Sequence, residues 1–226
     1  MSFGNNGNGT EIVISTPLRT AIGTFGGSLK DVSAVDLGTT VAQQVISRSG
    51  IDAEQIDQVI VGNVLMAGQG MNPGRQVGIN AGVPPASPAM TINRMCASGL
   101  QAIVSAAQEI ALGESDVILA GGIENMDQAP FIIPEGRYGY RMGLPDAKIL
   151  DHMVYDGLWD KFNDYHMGMT AENVAEQYGL SRDECDEYAA RSHQRAQKAT
   201  EEGYFEDQIV PIEIKQKKET VEFTTD

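Results

Sequence analysis

Apolar residues along this chain fall into short runs that alternate with helical stripes. Glu11 to Ser15 (EIVIS) is a brief apolar run that stops at Thr16-Pro17, as a buried strand does. Ser33 precedes Ala34 to Ser49, where Val35, Leu37, Val41, Val45 and Ile46 fall at helical spacing and Gly50 follows as a stop. Ile56 to Leu65 (IDQVIVGNVL) predicts a second strand, Pro73 opens a helix to Ala81, and Ala89 to Asn93 (AMTIN) predicts a third strand. Ala97 to Leu112 (ASGLQAIVSAAQEIAL) carries only Gln101, Gln108 and Glu109 as large polar residues. Its apolar surface exceeds one stripe and calls for cover on most sides. Asp116 to Ala120 (DVILA) is a near-continuous apolar strand ending in Gly121-Gly122. Alternation of this kind predicts an α/β fold with a largely parallel sheet.

Past Gly122 the texture changes. Residues 123–170 hold Pro130, Pro134 and Pro145, several aromatics and many methionines without a clear period, which predicts a long excursion with short helices. Order returns where Thr170 is placed to cap a helix to Tyr178, with Gly179 beyond it. Ser181 and Glu184 have capping-box spacing for a helix from Arg182 to Glu202, stopped by Gly203. Gln208 to Ile214 (QIVPIEI) is a last strand, and Pro211 predicts that it is an edge.

Composition narrows the function classes. The 226 residues are 42% hydrophobic and 21% charged, enough apolar material for a core. At about 150 residues per domain the length corresponds to roughly one and a half domains. The net charge is −15, and it is uneven: residues 1–120 hold 5 basic and 9 acidic side chains, residues 121–226 hold 11 and 22. A field of this sign repels phosphate backbones and anionic lipid, so neither nucleic acid nor membrane is expected as a partner. No apolar stretch is expected to reach the roughly 20 residues of a bilayer span. The start, MSFGNNGNGT, lacks basic and apolar regions, and Cys96 and Cys185 are the two cysteines. A cytoplasmic protein without a disulfide framework is the expectation.

Cys96 carries the candidate chemistry. It sits where a strand hands over to a helix, followed by Ala97, Ser98 and Gly99. Unpaired N–H groups and the positive dipole end at a helix N-terminus favour a thiolate, and small neighbours admit a substrate. The backbone N–H at such a turn is a possible oxyanion donor. A small buried hydrophobe fits the same spacing. Cys185 lies among Asp183, Glu184, Asp186 and Glu187, which suits inert helix filler better than a nucleophile. His152 and His193 read as solvated or capping. Spacing for a metal site is absent, and with neither GxGxxG nor GxxxxGKS the glycines at 68, 70, 121 and 122 read as tight turns.

The wording around Cys96 adds a resemblance. Ile92-Asn93-Arg94-Met95-Cys96-Ala97-Ser98-Gly99-Leu100-Gln101 resembles the acyl-enzyme motif of the thiolases. Val13 to Thr20 with Ile22-Gly23 and Phe25-Gly26-Gly27 resembles that family's opening. Ala120-Gly121-Gly122-Ile123-Glu124-Asn125-Met126 is similar to its strand after the nucleophile helix, and Tyr165-His166-Met167-Gly168-Met169-Thr170-Ala171-Glu172-Asn173-Val174-Ala175 to a further stretch. The nearest subgroup is the acetyl-CoA acetyltransferases.

The resemblance implies a layered fold in which two βαβαβαββ halves sandwich helices between two sheets. It implies that Cys96 is the nucleophile, taking an acyl group from acyl-CoA or 3-ketoacyl-CoA, and that an acetyl-CoA enolate then attacks the acyl-enzyme. Leu158, His166 and Met167 match positions that line the path of the pantetheine arm. Coenzyme A thioesters are then substrates, with no tightly bound cofactor. The expected organisation is a disordered tail over 1–10, the nucleophile half over 11–122 and a truncated loop domain over 123–226. The family's Gly-His-Pro, Asn-Glu-Ala-Phe and Cys-x-Gly-Gly-Gly motifs do not occur in these residues. The sequence is therefore expected to correspond to an N-terminal half, with the C-terminal half absent. Residues 126–150 resemble the family's tetramerisation loop, which implies a homodimer or homotetramer of the intact protein. Two alternatives stand beside the acetyltransferase. One is a catalytically inactive half that binds or scaffolds; the other is a 3-ketoacyl synthase relative, which the setting of Cys96 disfavours.

Overall fold

A computed structural model describes residues 2–3, 11–140, 148–215 and 219–226. The chain divides into two compact units, one of residues 1–129 and 208–226, the other of residues 130–207.

The first unit opens with β1 (Ser2–Phe3), paired antiparallel to β2 (Ile12–Val13). Residues 4–10 of the expected tail lie outside the described residues. Helix α1 (Ala34–Ser49) begins where Ser33 Oγ accepts the Asp36 N–H and ends at Gly50, which has φ +73°. There follow β3 (Gln58–Gly62), α2 (Pro73–Asn80), β4 (Ala89–Ile92), α3 (Ser98–Leu112) and β5 (Ile118–Gly122). The three long strands form one parallel sheet in the order β4-β3-β5, as the alternation of runs and stripes predicts.

The sheet's core follows from the two-residue period of a strand. Val59 and Val61 of β3 point to one face and pack with Ile56 and Val83, while Leu119 and Ile123 join Val35, Ala42 and Val77 of α1 and α2. Ile60, wholly buried, points to the other face and meets Ala102 and Ala106 of α3. Central β3 is thus covered on both sides.

Met95–Leu112 is long and apolar enough, by length and composition, to cross a membrane, contrary to the expectation of no such stretch. Its apolarity has an internal use, since α3 packs Ala102 and Ala106 on the sheet. Leu100, Val104 and Leu112 nevertheless remain exposed on its other face. The expected cover is therefore present on one side of α3 within the described residues.

Asp57 ties the entry of β3 to that of β5. Its carboxylate accepts from the N–H groups of Asp116 at 2.8 Å and Val117 at 2.9 Å. These bonds, that from Val117 foremost, hold its pKa below the ordinary aspartate value. A lowered folded-state pKa gives stability that is present above the unfolded value and lost as pH falls through the folded one. The difference in thermal midpoint between wild type and Asp57→Asn is therefore expected to shrink as pH drops through and below the ordinary aspartate range. A difference independent of pH would contradict the role of the charge.

The second unit is described by itself. It holds β6 (Phe131–Ile132), β7 (Leu150–Asp151), α4 (His152–Gly157), β8 (Trp159–Asp160), β9 (Tyr165–His166), α5 (Met167–Tyr178) and α6 (Arg182–Glu201). Strands β6 and β7 pair antiparallel, as do β8 and β9. The capping box of Ser181 and Glu184 forms as expected. The expected cap at Thr170 does not. Helix α5 starts four residues earlier, capped by His166, and Thr170 Oγ1 is buried inside the helix without a partner. His152, expected to be solvated or capping, is instead buried, with Nδ1 2.6 Å from the Asp156 carboxylate.

The chain then returns to the first unit, against the expected division at residues 122 and 123. Arg19 N–H donates to Gln208 O at 2.9 Å, and Val210 N–H donates to Arg19 O at 2.8 Å. Beyond Pro211, β10 (Ile212–Lys215) pairs antiparallel with β11 (Thr220–Phe223), and Ile212 buries against Leu29 and Leu37. The Arg19 guanidinium closes on both Asp226 carboxylate oxygens at 2.6 and 2.7 Å. Residues 208–226 therefore belong with the unit that carries Cys96.

Candidate active site

Strands β3, β4 and β5 end side by side, Gly62 standing in register with Ile92 and with Gly122. Open α/β sheets place ligands at this carboxyl edge. Helix α3 starts there because no side chain blocks it. A Cβ at Gly62 would stand 2.3 Å from the Ser98 carbonyl carbon, and one at Gly122 would stand 2.9 Å from Gly99 Cα. The first turn of α3 rests directly on two strand ends.

Cys96 lies in the short link from β4 to α3 and is exposed. Met95, just before it, has φ +51°, the left-handed region that a residue with a side chain adopts at a cost of about 1–2 kcal/mol. Several bonds hold the turn in that state. Asn93 Oδ1 accepts the Met95 N–H at 2.9 Å. Buried Ser98 accepts the Arg94 N–H at 2.8 Å and donates its own hydroxyl to Met95 O at 2.6 Å. Arg94 reaches over the first turn to Gln101 Oε1. At the N-cap position, Ala97 supplies no side-chain acceptor. The turn presents a thiol beside the start of a helix whose first-turn amides face no capping side chain, a setting that suits an anion.

Leu158, His166 and Met167 meet within the second unit. His166 pairs across the β8–β9 ladder with Trp159, and Met167 N–H donates to Leu158 O at 2.8 Å. His166 Nδ1 accepts the Gly168 N–H at 3.0 Å, so in the neutral ring the proton sits on Nε2. Leu158 is half-buried and Met167 exposed. The three form one apolar-edged corner with a single ring donor. Cys185 is an exposed residue of α6 in the same unit.

Sequence patterning missed one of the two polar residues beneath the Cys96 turn, Asn63, and marked the other, Glu124, for its place just beyond a strand end, where α/β folds place ligands. Asn63, 1% exposed, follows β3 directly, and Glu124 follows β5. A polar residue immediately after a buried strand was the available signal. A cavity of about 430 Å³ lies in the first unit between β5 and residues 12–20, lined by Leu37, Val41, Val45, Ile103 and Ile110 among others and reaching Gly122 and Glu124. Cys96 does not line it.

Comparison with known proteins agrees with the motif. Residues 12–226 match the family model described as thiolase, N-terminal domain. An acetyl-CoA acetyltransferase of Syntrophomonas wolfei is 53% identical over 216 residues, which cover 96% of this chain and 54% of that protein. A probable acetyl-CoA acyltransferase of Staphylococcus aureus is 50% identical over 92% of this chain and 53% of its own length. The crystal structure of the Bacillus anthracis acetyl-CoA acetyltransferase superposes with a TM-score of 0.87 at 44% identity, covering 92% of this chain and 52% of that one. The chain spans about half the length of these relatives.

Proposed function

Since the chain belongs to the thiolase family, we propose that it carries the acyl-accepting cysteine of an acetyl-CoA acetyltransferase. The carrying observation is the exposed Cys96 thiol on a strained, heavily bonded turn at the carboxyl edge of a parallel sheet. In this reading the Cys96 thiolate attacks the thioester carbonyl of acyl-CoA. A sulfur–carbon bond forms, the bond to coenzyme A breaks, and coenzyme A leaves as a thiolate that takes up a proton. Covalent capture splits one difficult carbon–carbon step into two easier ones.

Leu158, His166 and Met167 are assigned to the pantetheine arm, whose alternating apolar and amide groups suit two apolar side chains and one ring N–H. The His166 bond to Gly168 occupies Nδ1 and leaves Nε2–H as its donor. His166 is thus a wall and not a base. The two free cysteines accord with a reducing, cytoplasmic setting. The proposed homodimer or homotetramer rests on the resemblance of residues 126–150, of which 141–147 lie outside the described residues.

Mixing the intact protein with excess acetyl-CoA is expected to release a burst of free coenzyme A, one equivalent per chain. Neutral hydroxylamine should then remove the acetyl group, as it does from a thioester. A hydroxylamine-resistant label, or no burst, would count against the acyltransferase and leave the binding or scaffolding half as the better reading.

A further inference from the structure

The three strand ends at the candidate site are joined by a polar chain that leads to Met95. The Glu124 carboxylate accepts from the N–H groups of Val64 at 2.9 Å and Leu65 at 3.3 Å, and from Asn63 Nδ2 at 2.9 Å. Asn63 Nδ2 also donates to Ile123 O at 3.2 Å, and the Asn63 N–H donates to Ile92 O at 3.0 Å. One carboxylate thereby fixes the turn over residues 63–65 and draws the ends of β3, β4 and β5 together. From that turn, Val64 O accepts Asn93 Nδ2 at 3.4 Å, while Asn93 Oδ1 takes the Met95 N–H.

We propose that Glu124 and Asn93 are positioning residues for the Cys96 turn: Glu124 fixes residues 63–65, and Asn93 passes that constraint to Met95 and so to the thiol. Backbone strain at Met95 makes the coupling matter. A side-chain-bearing residue at φ +51° relaxes to negative φ unless its surroundings over-determine it. Ser98 secures the turn from the helix side and Asn93 from the sheet side. Of these two, only the Asn93 arm continues to a charged group, and a hydrogen bond to a charged group is the stronger kind. Rotation of Met95 would swing the next residue, Cys96, away from the start of α3. The inference rests on the reading of Cys96 as nucleophile for its purpose, but its test does not.

Hydrogen exchange read by mass spectrometry on peptides spanning residues 63–65 and 93–97 decides it. Glu124→Gln is nearly isosteric and keeps one acceptor oxygen, so the fold has little reason to fail. It is expected to speed exchange about tenfold in both segments, the factor carried by one hydrogen bond to a charged group. Asn93→Ala should speed residues 93–97 alone, and adding Glu124→Gln to it should speed them no further. Asn93→Asp keeps an oxygen for the Met95 N–H but loses the Nδ2–H that reaches Val64 O, so it should leave residues 93–97 insensitive to Glu124→Gln, a loss of coupling that a general loss of stability would not show. Glu54→Gln, which removes the same charge at the amino end of β3, should leave both segments unchanged. An effect of Glu124→Gln confined to residues 63–65, or one that adds in full to Asn93→Ala, would overturn the coupling. Since none of these readings involves acetyl-CoA, failure of the coenzyme A burst would strike the proposed function and leave this inference standing, and the reverse holds equally.

Discussion

Cys96→Ser is expected to abolish the coenzyme A burst, lowering the rate of acetyl capture by about a thousandfold or more. The substitution changes one atom in a turn whose bonds are made by other groups. Asn93, Ser98 and Arg94 hold the backbone, and none of their hydrogen bonds ends on the Cys96 side chain. The fold should therefore survive, with a thermal midpoint close to that of wild type. What is lost is nucleophilicity, because an alcohol is ionised far less readily than a thiol. Cys185→Ser is the matched control. It removes the other thiol, on exposed helix α6, and should leave the burst intact. A burst that survived in Cys96→Ser and vanished in Cys185→Ser would reverse the assignment.

Gly62→Ala is expected to cost about 3 kcal/mol of stability, at the upper end of overpacking in a closed core. The new Cβ would lie 2.3 Å from the Ser98 carbonyl carbon and 2.5 Å from the Gly99 nitrogen, both of them backbone atoms of the first turn of α3. A flexible side chain could swing aside, but a helix start cannot. Relief requires α3 to lift from the strand end, and Cys96 would move with it. Gly121→Ala tests whether the cost is steric. Gly121 stands in register with Val61 on the neighbouring strand, and a Cβ there would meet nothing within 4 Å. That variant should lie within about 1 kcal/mol of wild type. Equal losses for the two variants, measured by denaturant unfolding, would show that helix contact is not the cause.

Much of the architecture is legible residue by residue where the governing contacts are local. Ser33 and Gly50 bracket α1 because an N-cap oxygen and a left-handed stop act within a single turn. The apolar run at 58–62 announces a buried parallel strand because both faces of β3 are covered, and that at 118–122 announces its half-buried neighbour. Local signals mislead when two of them compete. Thr170 is a good capping residue, but His166 lies one turn earlier at the end of β9 with Nδ1 free to accept the Gly168 N–H, and α5 begins there.

Contacts distant in sequence leave no such trace. Residues 208–226 read as part of the second unit until Arg19 is seen pairing with Gln208 and Asp226. At the candidate site, Cys96 is legible as a cysteine at a strand-to-helix junction among small residues. The role of Glu124 is not, since the N–H groups it accepts from lie some sixty residues earlier and reach it only through the parallel register of β3 and β5. His152 is misjudged for a related reason, because burial by its neighbours cannot be read from its own isolated place in the sequence.

The central claim is that Cys96 is the atom-level acceptor of the acyl group. Brief incubation with acetyl-CoA, an acid quench that preserves thioesters, proteolysis and peptide mass spectrometry test it most directly. The account predicts one acetyl group on the peptide containing Cys96 and none on that containing Cys185. Label on Cys185, or on lysines alone with Cys96 unmodified, would contradict it.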